Sequence, residues 1–159
     1  MRKVNEANIK QLILAGENET VEFKRTVSPL LKNVIVAFAN VQGGIVIIGY
    51  DELKNIVVGV NPLVHGEVCN MLKPYLDLCN IYFVEYEQKL VLIIEVLKAD
   101  STLSLDGKIY YRDGESVKSI DLYDTEKITD IVMDSIKGLT LSELSDQAEL
   151  GKHRIKKNS

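Results

Sequence analysis

The sequence has few of the residues that mark secreted, membrane-spanning or zinc-binding proteins. Its only cysteines, Cys69 and Cys79, have nine residues between them, which is not the spacing of a zinc site. Nothing in the chain indicates secretion, so we expect both to be reduced, small, buried side chains. No apolar run approaches the length of a membrane-spanning helix. We therefore expect a soluble, cytoplasmic protein with no membrane partner.

Histidine, proline and phosphate-binding sequences are also scarce. His65 and His153 are the only histidines, and neither has a partner at the spacing of a metal, Ser-His-Asp or Cys-His site, so we expect both on the surface. Only three prolines are present, which argues against an internal linker. There is no Gly-x-x-x-x-Gly-Lys-Ser/Thr sequence, and Gly43-Gly44 precedes a strand. We expect no P-loop nucleotide site, and expect these glycines to end a helix and allow close backbone packing.

The chain also lacks the positive charge of a typical nucleic-acid binder. Its net charge is −4, and Lys152, Arg154, Lys156 and Lys157 contribute +4 of the total, which leaves −8 for residues 1–151. An acidic body releases few phosphate counterions. Nucleic-acid binding would therefore need a local basic patch, the basic tail, a metal ion or an oligomer.

The pattern of apolar residues predicts an α+β domain with a mixed, largely antiparallel sheet and flanking helices. The predicted helices span residues 5–15, 28–41, 63–78, 124–137 and 140–150. The predicted strands span residues 20–25, 44–50, 55–60, 81–87, 89–97, 108–112 and 116–120. Ser28-Pro29 is typical of a helix start, and Leu30 is expected to be buried. The domain is expected to cover residues 1–138, and residues 139–159 a short helix and a basic, disordered tail.

Two ordered blocks are the most informative part of the chain. The first runs from Gly16-Glu17 to Glu22-Phe23-Lys24, and the second from Ala37-Phe38-Ala39-Asn40 through Gly43-Gly44 and the run 45–48 to Gly49-Tyr50-Asp51. A third block, 109–116, contains Tyr110-Tyr111-Arg112 and Gly114-Glu115-Ser116. Together they resemble the signature of the Schlafen-type AlbA-like family, also called the divergent AAA or putative DNA-binding family, although Glu115 intervenes before the serine. The resemblance covers about residues 9–136.

The resemblance implies a site for Mg²⁺ or Mn²⁺. Schlafen proteins that cut RNA use two glutamates five residues apart and an aspartate after the Gly-Gly strand, which correspond to Glu17, Glu22 and Asp51, with Glu52 as a substitute. Hard cations prefer carboxylate oxygens, and a metal there would serve phosphodiester cleavage. The structural alternative is that Glu17 caps a backbone turn, Glu22 pairs with Lys24 or Arg112, and Asp51 starts a hairpin turn.

Four basic residues are candidates for phosphate contact: Lys24, Arg25, Lys32 and Arg112. Tyr110 or Tyr111 could stack on a base of a single strand, and strand alternation allows only one of them to face the same neighbour. The alternative for Arg112 is an ion pair with Glu22, Asp51 or Asp113.

Three functions follow as hypotheses. The first is a nucleic-acid-binding domain acting on DNA or RNA in regulation or defence, the second a Mg²⁺- or Mn²⁺-dependent endoribonuclease, and the third a protein-interaction or oligomerisation module. Because relatives work as dimers or pseudo-dimers, a homodimer is also expected.

Overall fold

The computed structural model describes residues 4–122. In this range the helices are α1 (Glu6–Ala15), α2 (Leu31–Val41), α3 (Val64–Met71) and a 3-10 helix (Lys73–Leu78). The strands are β1 (Val21–Lys24), β2 (Gly44–Ile48), β3 (Tyr50–Asp51), β4 (Ile56–Val57), β5 (Cys79–Tyr86), β6 (Lys89–Val96), β7 (Lys108–Asp113) and β8 (Ser116–Asp121). The elements predicted after residue 122, the basic tail and the boundary at residue 138 lie outside the described residues. No described helix is long and apolar enough to cross a membrane.

Four strands form the main sheet in the order β1-β2-β6-β5. Strand β1 runs parallel to β2, with α2 between them in the chain, whereas β6 is antiparallel to both β2 and β5. Two further antiparallel pairs, β3-β4 and β7-β8, complete the described fold. The predicted α+β class, with its mixed and largely antiparallel sheet and flanking helices, is confirmed.

The main sheet is buried on both faces, which explains the uninterrupted apolar run of β2. On one face Val46 and Ile48 pack with residues of α2 and α3. On the other face Ile47 packs with Ile9 of α1 and with Phe23. Because side chains alternate along β1, the inward Val21 and Phe23 leave Glu22 and Lys24 on the α2 side of the sheet.

Helix α2 begins later than the sequence predicts. Ser28 does not cap the helix, because its Oγ accepts a hydrogen bond from Leu30 N at 3.1 Å and its carbonyl accepts one from Leu31 N at 3.0 Å. These bonds close a turn that comes before the first helical residue. Leu30 becomes the N-cap residue and is 63% exposed, so the prediction that it is buried is wrong.

Strand β2 also ends earlier than predicted, at Ile48. Gly49 has φ +114°, which takes the chain out of the sheet, and its carbonyl accepts hydrogen bonds from Val58 N and Gly59 N at 2.8 and 2.9 Å. The predicted hairpin is therefore present as the separate short pair β3-β4. Asp51 consequently lies in this pair, beyond the end of the main sheet.

His65 is not the surface residue that the sequence predicts. It is half-buried, its Nε2 lies 3.0 Å from the carbonyl oxygen of Ile81, and its ring packs against Phe83 with centroids 5.8 Å apart. Cys69 and Cys79 are also half-buried, and both are free thiols. Both are therefore less buried than the sequence predicts.

Gly43 and Gly44 allow close approach of backbone and ring, as predicted. Gly43 ends α2 with φ +78°, its N–H donates to Phe38 O at 2.7 Å, and a Cβ there would lie 2.4 Å from the carbonyl oxygen of Val96. A Cβ on Gly44 would lie 2.5 Å from the Phe38 ring and 2.7 Å from the carbonyl oxygen of Thr20. Both positions therefore exclude any side chain.

We expect Gly43→Ala to lower the free energy of unfolding by at least about 2 kcal/mol, since it combines a left-handed backbone with overpacking. Urea denaturation monitored by circular dichroism measures the change. Gly66→Ala is the matched control, because a Cβ on Gly66 in α3 has open space around it, and alanine there is expected to stabilise the helix slightly. Equal effects of the two substitutions would contradict the close-packing argument.

Candidate functional site

An open cleft of about 450 Å³ lies between β1, the N-terminal end of α2 and the β7-β8 hairpin. Strand β1 is at the edge of the main sheet, so no further strand of this sheet covers its outer side. The cleft is lined by Glu17, Glu22, Phe23, Lys24, Leu30, Asn33, Val34, Tyr110, Glu115 and Val117. It therefore combines three carboxylates with one cation, two aromatic rings and an exposed leucine.

Glu22 is buried and is paired with two cations. Arg112 of β7 donates from Nη1 to Glu22 Oε1, and Lys24 Nζ lies 2.9 Å from Glu22 Oε2. The Arg112 side chain has no exposed surface. Its Nη2 also donates to Asn18 O at 2.7 Å, and its Cζ lies 4.5 Å from the centroid of the Phe38 ring. The structure thus shows the ion pair that was the alternative for both Glu22 and Arg112. No surface of Arg112 is left for a phosphate.

Glu17 lies close to Glu22 at the same cleft. Its Oε2 accepts a hydrogen bond from Phe23 N at 2.9 Å, which is the predicted capping of backbone by this carboxylate. Burial raises the pKa of Glu17, and the negative charges of Glu22 and Glu52 raise it further, whereas the Phe23 hydrogen bond and Arg112 act in the opposite direction. The surroundings of Glu17 therefore disfavour its charged form.

Asp51 is held by a different set of contacts. Its Oδ1 accepts from Lys54 N at 3.2 Å, and its Oδ2 lies 3.4 Å from Arg25 Nε. The first contact is the hairpin-turn role that the sequence offered as an alternative. Asp51 is not among the residues that line the cleft, whereas Glu52 is near enough to raise the pKa of Glu17. Among residues 4–122, no three His, Cys, Asp or Glu side chains form a group that could hold a metal ion.

Replacing Glu17 with glutamine is expected to raise the melting temperature at pH 7.5. A raised folded-state pKa means that the folded protein holds the Glu17 proton more tightly than the unfolded chain, so stability is lost as pH rises through that pKa. Glutamine keeps an oxygen for Phe23 N and removes the opposed charge. The difference in melting temperature between the Glu17→Gln variant and the unchanged protein should shrink toward pH 4, where Glu17 itself becomes protonated.

Thermal unfolding across this pH range checks the expectation, with Glu19→Gln as the control. Glu19 is exposed and its substitution should change little at any pH. A lower melting temperature for the Glu17 variant at pH 7.5 would show that the charge stabilises the fold.

Comparison with known proteins shows the family of the chain. The family model described as Schlafen, AlbA_2 matches residues 17–121 of the chain. The chain belongs to this family. No curated protein matches the chain. Among solved structures, the DIP2311 protein from Corynebacterium diphtheriae is similar with a TM-score of 0.58 and 16% identity. The match covers 82% of this chain and 32% of that protein, and at this identity it supports the fold alone.

The basic residues expected at the Schlafen AlbA_2 cleft are partly neutralised. Lys24 lines the cleft but is paired with Glu22, and Arg25, whose side chain is 61% exposed, is paired with Asp51. Lys32 is half-buried in the first turn of α2, and it makes no ion pair with another residue of the described range. Tyr110 lines the cleft, while Tyr111 points to the other side of β7 because side chains alternate along a strand.

Asn40, the last residue of the Ala-Phe-Ala-Asn sequence, has a role that sequence reasoning missed. Its Nδ2 donates to Leu103 O at 3.0 Å and Tyr110 O at 2.8 Å, and its Oδ1 accepts from Leu103 N at 2.7 Å. The buried amide thereby joins α2 to β7, the strand that carries Tyr110 and Arg112. A polar residue among the apolar positions of α2 was the available signal, because a buried amide requires partners.

Proposed function

We propose that this Schlafen AlbA_2 domain binds a single strand of nucleic acid, DNA or RNA, along the cleft beside β1. The observation that carries the proposal is that Lys24 and Tyr110 line one open cleft. A tyrosine ring offers a stacking surface to any base, and an ammonium group beside it suits the adjoining phosphate. Arg25 directly after β1 and Lys32 in the first turn of α2 extend the positive charge at this end of the domain.

The charges of the cleft limit this binding to a few phosphates. Glu17, Glu22 and Glu115 share the cleft with Lys24, so the strand would follow the basic end formed by Lys24, Arg25 and Lys32. Three phosphate contacts on a single strand correspond to a slope of about −2 in log K against log salt. The expected affinity is therefore modest and is best measured at low ionic strength.

Fluorescence anisotropy with labelled oligo(dT) and oligo(U) tests the proposal. Tyr110→Leu should weaken binding by about tenfold through lost stacking, and Lys32→Gln should reduce the salt slope by about 0.7. Lys10→Gln is the control, since Lys10 is exposed on α1, which packs on the opposite face of the sheet. Equal binding by all three variants would reject the cleft as the binding surface.

A metal-dependent endoribonuclease is the second candidate, and one observation favours it: Glu17 and Glu22 line the same cleft. The three candidate carboxylates do not fit a metal in this arrangement. Both oxygens of Glu22 contact cations, and Asp51 accepts a hydrogen bond from Lys54 N. The test is RNA incubated with Mn²⁺ or EDTA, with Glu22→Gln as the inactive variant. Cleavage that requires both Mn²⁺ and Glu22 would promote this candidate.

Two other expectations remain predictions. Homodimer formation is measured by light scattering during size-exclusion chromatography, and a cytoplasmic location by fractionation of the source cells. A chain that neither binds oligonucleotides nor cleaves RNA would leave the third hypothesis, a protein-interaction module.

A further inference from the structure

A histidine and a cysteine form a pair on α3, away from the cleft. Cys69 Sγ lies 3.7 Å from His65 Nδ1. His65 precedes Cys69 by four residues, which is about one turn of the same helix. The other ring nitrogen, Nε2, lies 3.0 Å from Ile81 O. A carbonyl oxygen only accepts hydrogen bonds, so Nε2 carries the hydrogen and Nδ1 presents its lone pair to the thiol. His65 is thereby oriented as a base for Cys69.

The second cysteine, Cys79, begins β5, the strand that His65 contacts. His65 contacts Ile81 and Phe83 of β5, and Cys79 shares their side of the strand because residues two apart face the same way. Four helical residues advance about 6 Å from His65 to Cys69, and two strand residues cover about the same distance from Ile81 to Cys79. The two thiols are near enough for the charge of Cys69 to contribute to the raised pKa of Cys79.

We propose that Cys69 is a peroxide-reactive thiol activated by His65, and that Cys79 converts the oxidised Cys69 into an intramolecular disulfide. The site is independent of the proposed nucleic-acid cleft. It would consist of a nucleophile, a base and a carbonyl that orients the base, which is the general arrangement of an activated nucleophile, together with a second thiol.

The chemistry balances with a hydroperoxide as the oxidant. Cys69 gives its proton to His65 Nδ1, and its sulfur attacks a peroxide oxygen, so that an S–O bond forms and the O–O bond breaks. The leaving oxygen takes the proton from His65 and departs as water or an alcohol. Cys79 then loses its proton and attacks the Cys69 sulfur, an S–S bond forms, and the S–O bond breaks to release water. Two thiols are oxidised to one disulfide and the peroxide is reduced.

The environments of the two cysteines assign their order. Burial, followed by the charge of Cys69, raises the pKa of the Cys79 thiol to about 12. Such a thiol is a poor first nucleophile at neutral pH, because only the thiolate reacts. Cys69, which is partly exposed and bonded to a base, therefore reacts first. The second step should be slow at pH 7 and should accelerate as the pH rises.

The experiment treats the reduced full-length chain with hydrogen peroxide, blocks remaining thiols with N-ethylmaleimide, and measures intact mass and disulfide-linked peptides. The expected product is a monomer with a Cys69–Cys79 disulfide. In Cys79→Ser, dimedone should trap a sulfenic acid on Cys69, while in Cys69→Ser the remaining Cys79 should stay a thiol. Retention of both thiols, or a disulfide that joins two chains, overturns the proposal.

His65→Gln tests the base separately, because glutamine keeps a hydrogen-bond donor and lacks the basic nitrogen. The alkylation rate of Cys69 by iodoacetamide should fall about tenfold at pH 7. The difference should vanish at about pH 10, where hydroxide generates the thiolate without the imidazole. A purely structural role of His65 would not produce this convergence. Equal rates at pH 7 overturn the proposal, and the two cysteine variants decide the case if His65→Gln does not fold.

Discussion

Replacing Arg112 with methionine is expected to lower the free energy of unfolding by about 3 to 5 kcal/mol, the usual cost of breaking a buried ion pair. The Arg112 side chain has no exposed surface and donates to Glu22 and to Asn18 O. Its removal leaves the buried Glu22 carboxylate with Lys24 as its remaining cation and leaves the Asn18 carbonyl without this donor. The lost stacking on Phe38 adds to the cost. Chemical denaturation measures the change.

Two further variants separate the ion pair from general damage to the β7-β8 hairpin. Arg112→Met combined with Glu22→Gln should recover a large part of the lost stability, because no unpaired charge then remains in the interior. Lys118→Met removes the other ion pair of the hairpin, to Asp113, where both side chains are more than half exposed, and should have little effect. A double variant no more stable than Arg112→Met alone would show that the arginine acts through packing.

Much of the fold follows from local patterns in the sequence. Val21 and Phe23 alternate with Glu22 and Lys24, and this period of two predicts a strand with one face in the core. Pro74, within the predicted helix 63–78, accounts for the end of α3 at Met71 and for the 3-10 helix that follows, because proline disrupts α-helical hydrogen bonding. The α1 boundaries were predictable because Asn5 caps the helix and Gly16 ends it with φ +82°. In each case the residues that determine the local structure lie within a few positions of it in the sequence.

The misjudged positions depend on contacts between distant parts of the chain or on competing local bonds. Arg112 and Glu22 are 90 residues apart in sequence, so no spacing rule could choose between an ion pair and a phosphate contact. Ser28 was a reasonable cap by residue type, yet its oxygens serve the preceding turn. His65 had a visible signal in the four-residue spacing to Cys69, which becomes meaningful only once the helix is packed against β5.

The candidate carboxylates illustrate how one sequence pattern supports two roles. Glu17 caps the backbone of Phe23, Glu22 binds Arg112 and Lys24, and Asp51 starts a turn. These are the structural alternatives that the sequence allowed, and they account for most of the oxygens that a metal would require. The raised pKa of Glu17 follows from burial and from the negative charges of Glu22 and Glu52, so this carboxylate carries a charge that its surroundings oppose.

Replacing Asn40 with alanine is expected to lower the free energy of unfolding by about 3 to 5 kcal/mol, since each buried group left without a partner costs about 1 to 3 kcal/mol. The substitution removes three hydrogen bonds and leaves Leu103 N, Leu103 O and Tyr110 O without their amide partner. All three join α2 to β7 or to the segment before it. The loss should therefore loosen the strand that holds Tyr110 at the cleft.

Hydrogen exchange distinguishes this local effect from uniform destabilisation. In Asn40→Ala the amides of β7 and of residues around Leu103 should lose protection first, because α2 no longer anchors them, whereas those of β5 and β6 should follow global unfolding. Asn33→Ala, two turns earlier in the same helix at the open cleft, is the control and should leave stability nearly unchanged. If protection fell equally in β5 and β7, Asn40 would be a general core residue. Selective loss in β7 would establish that this one amide positions the wall of the candidate site.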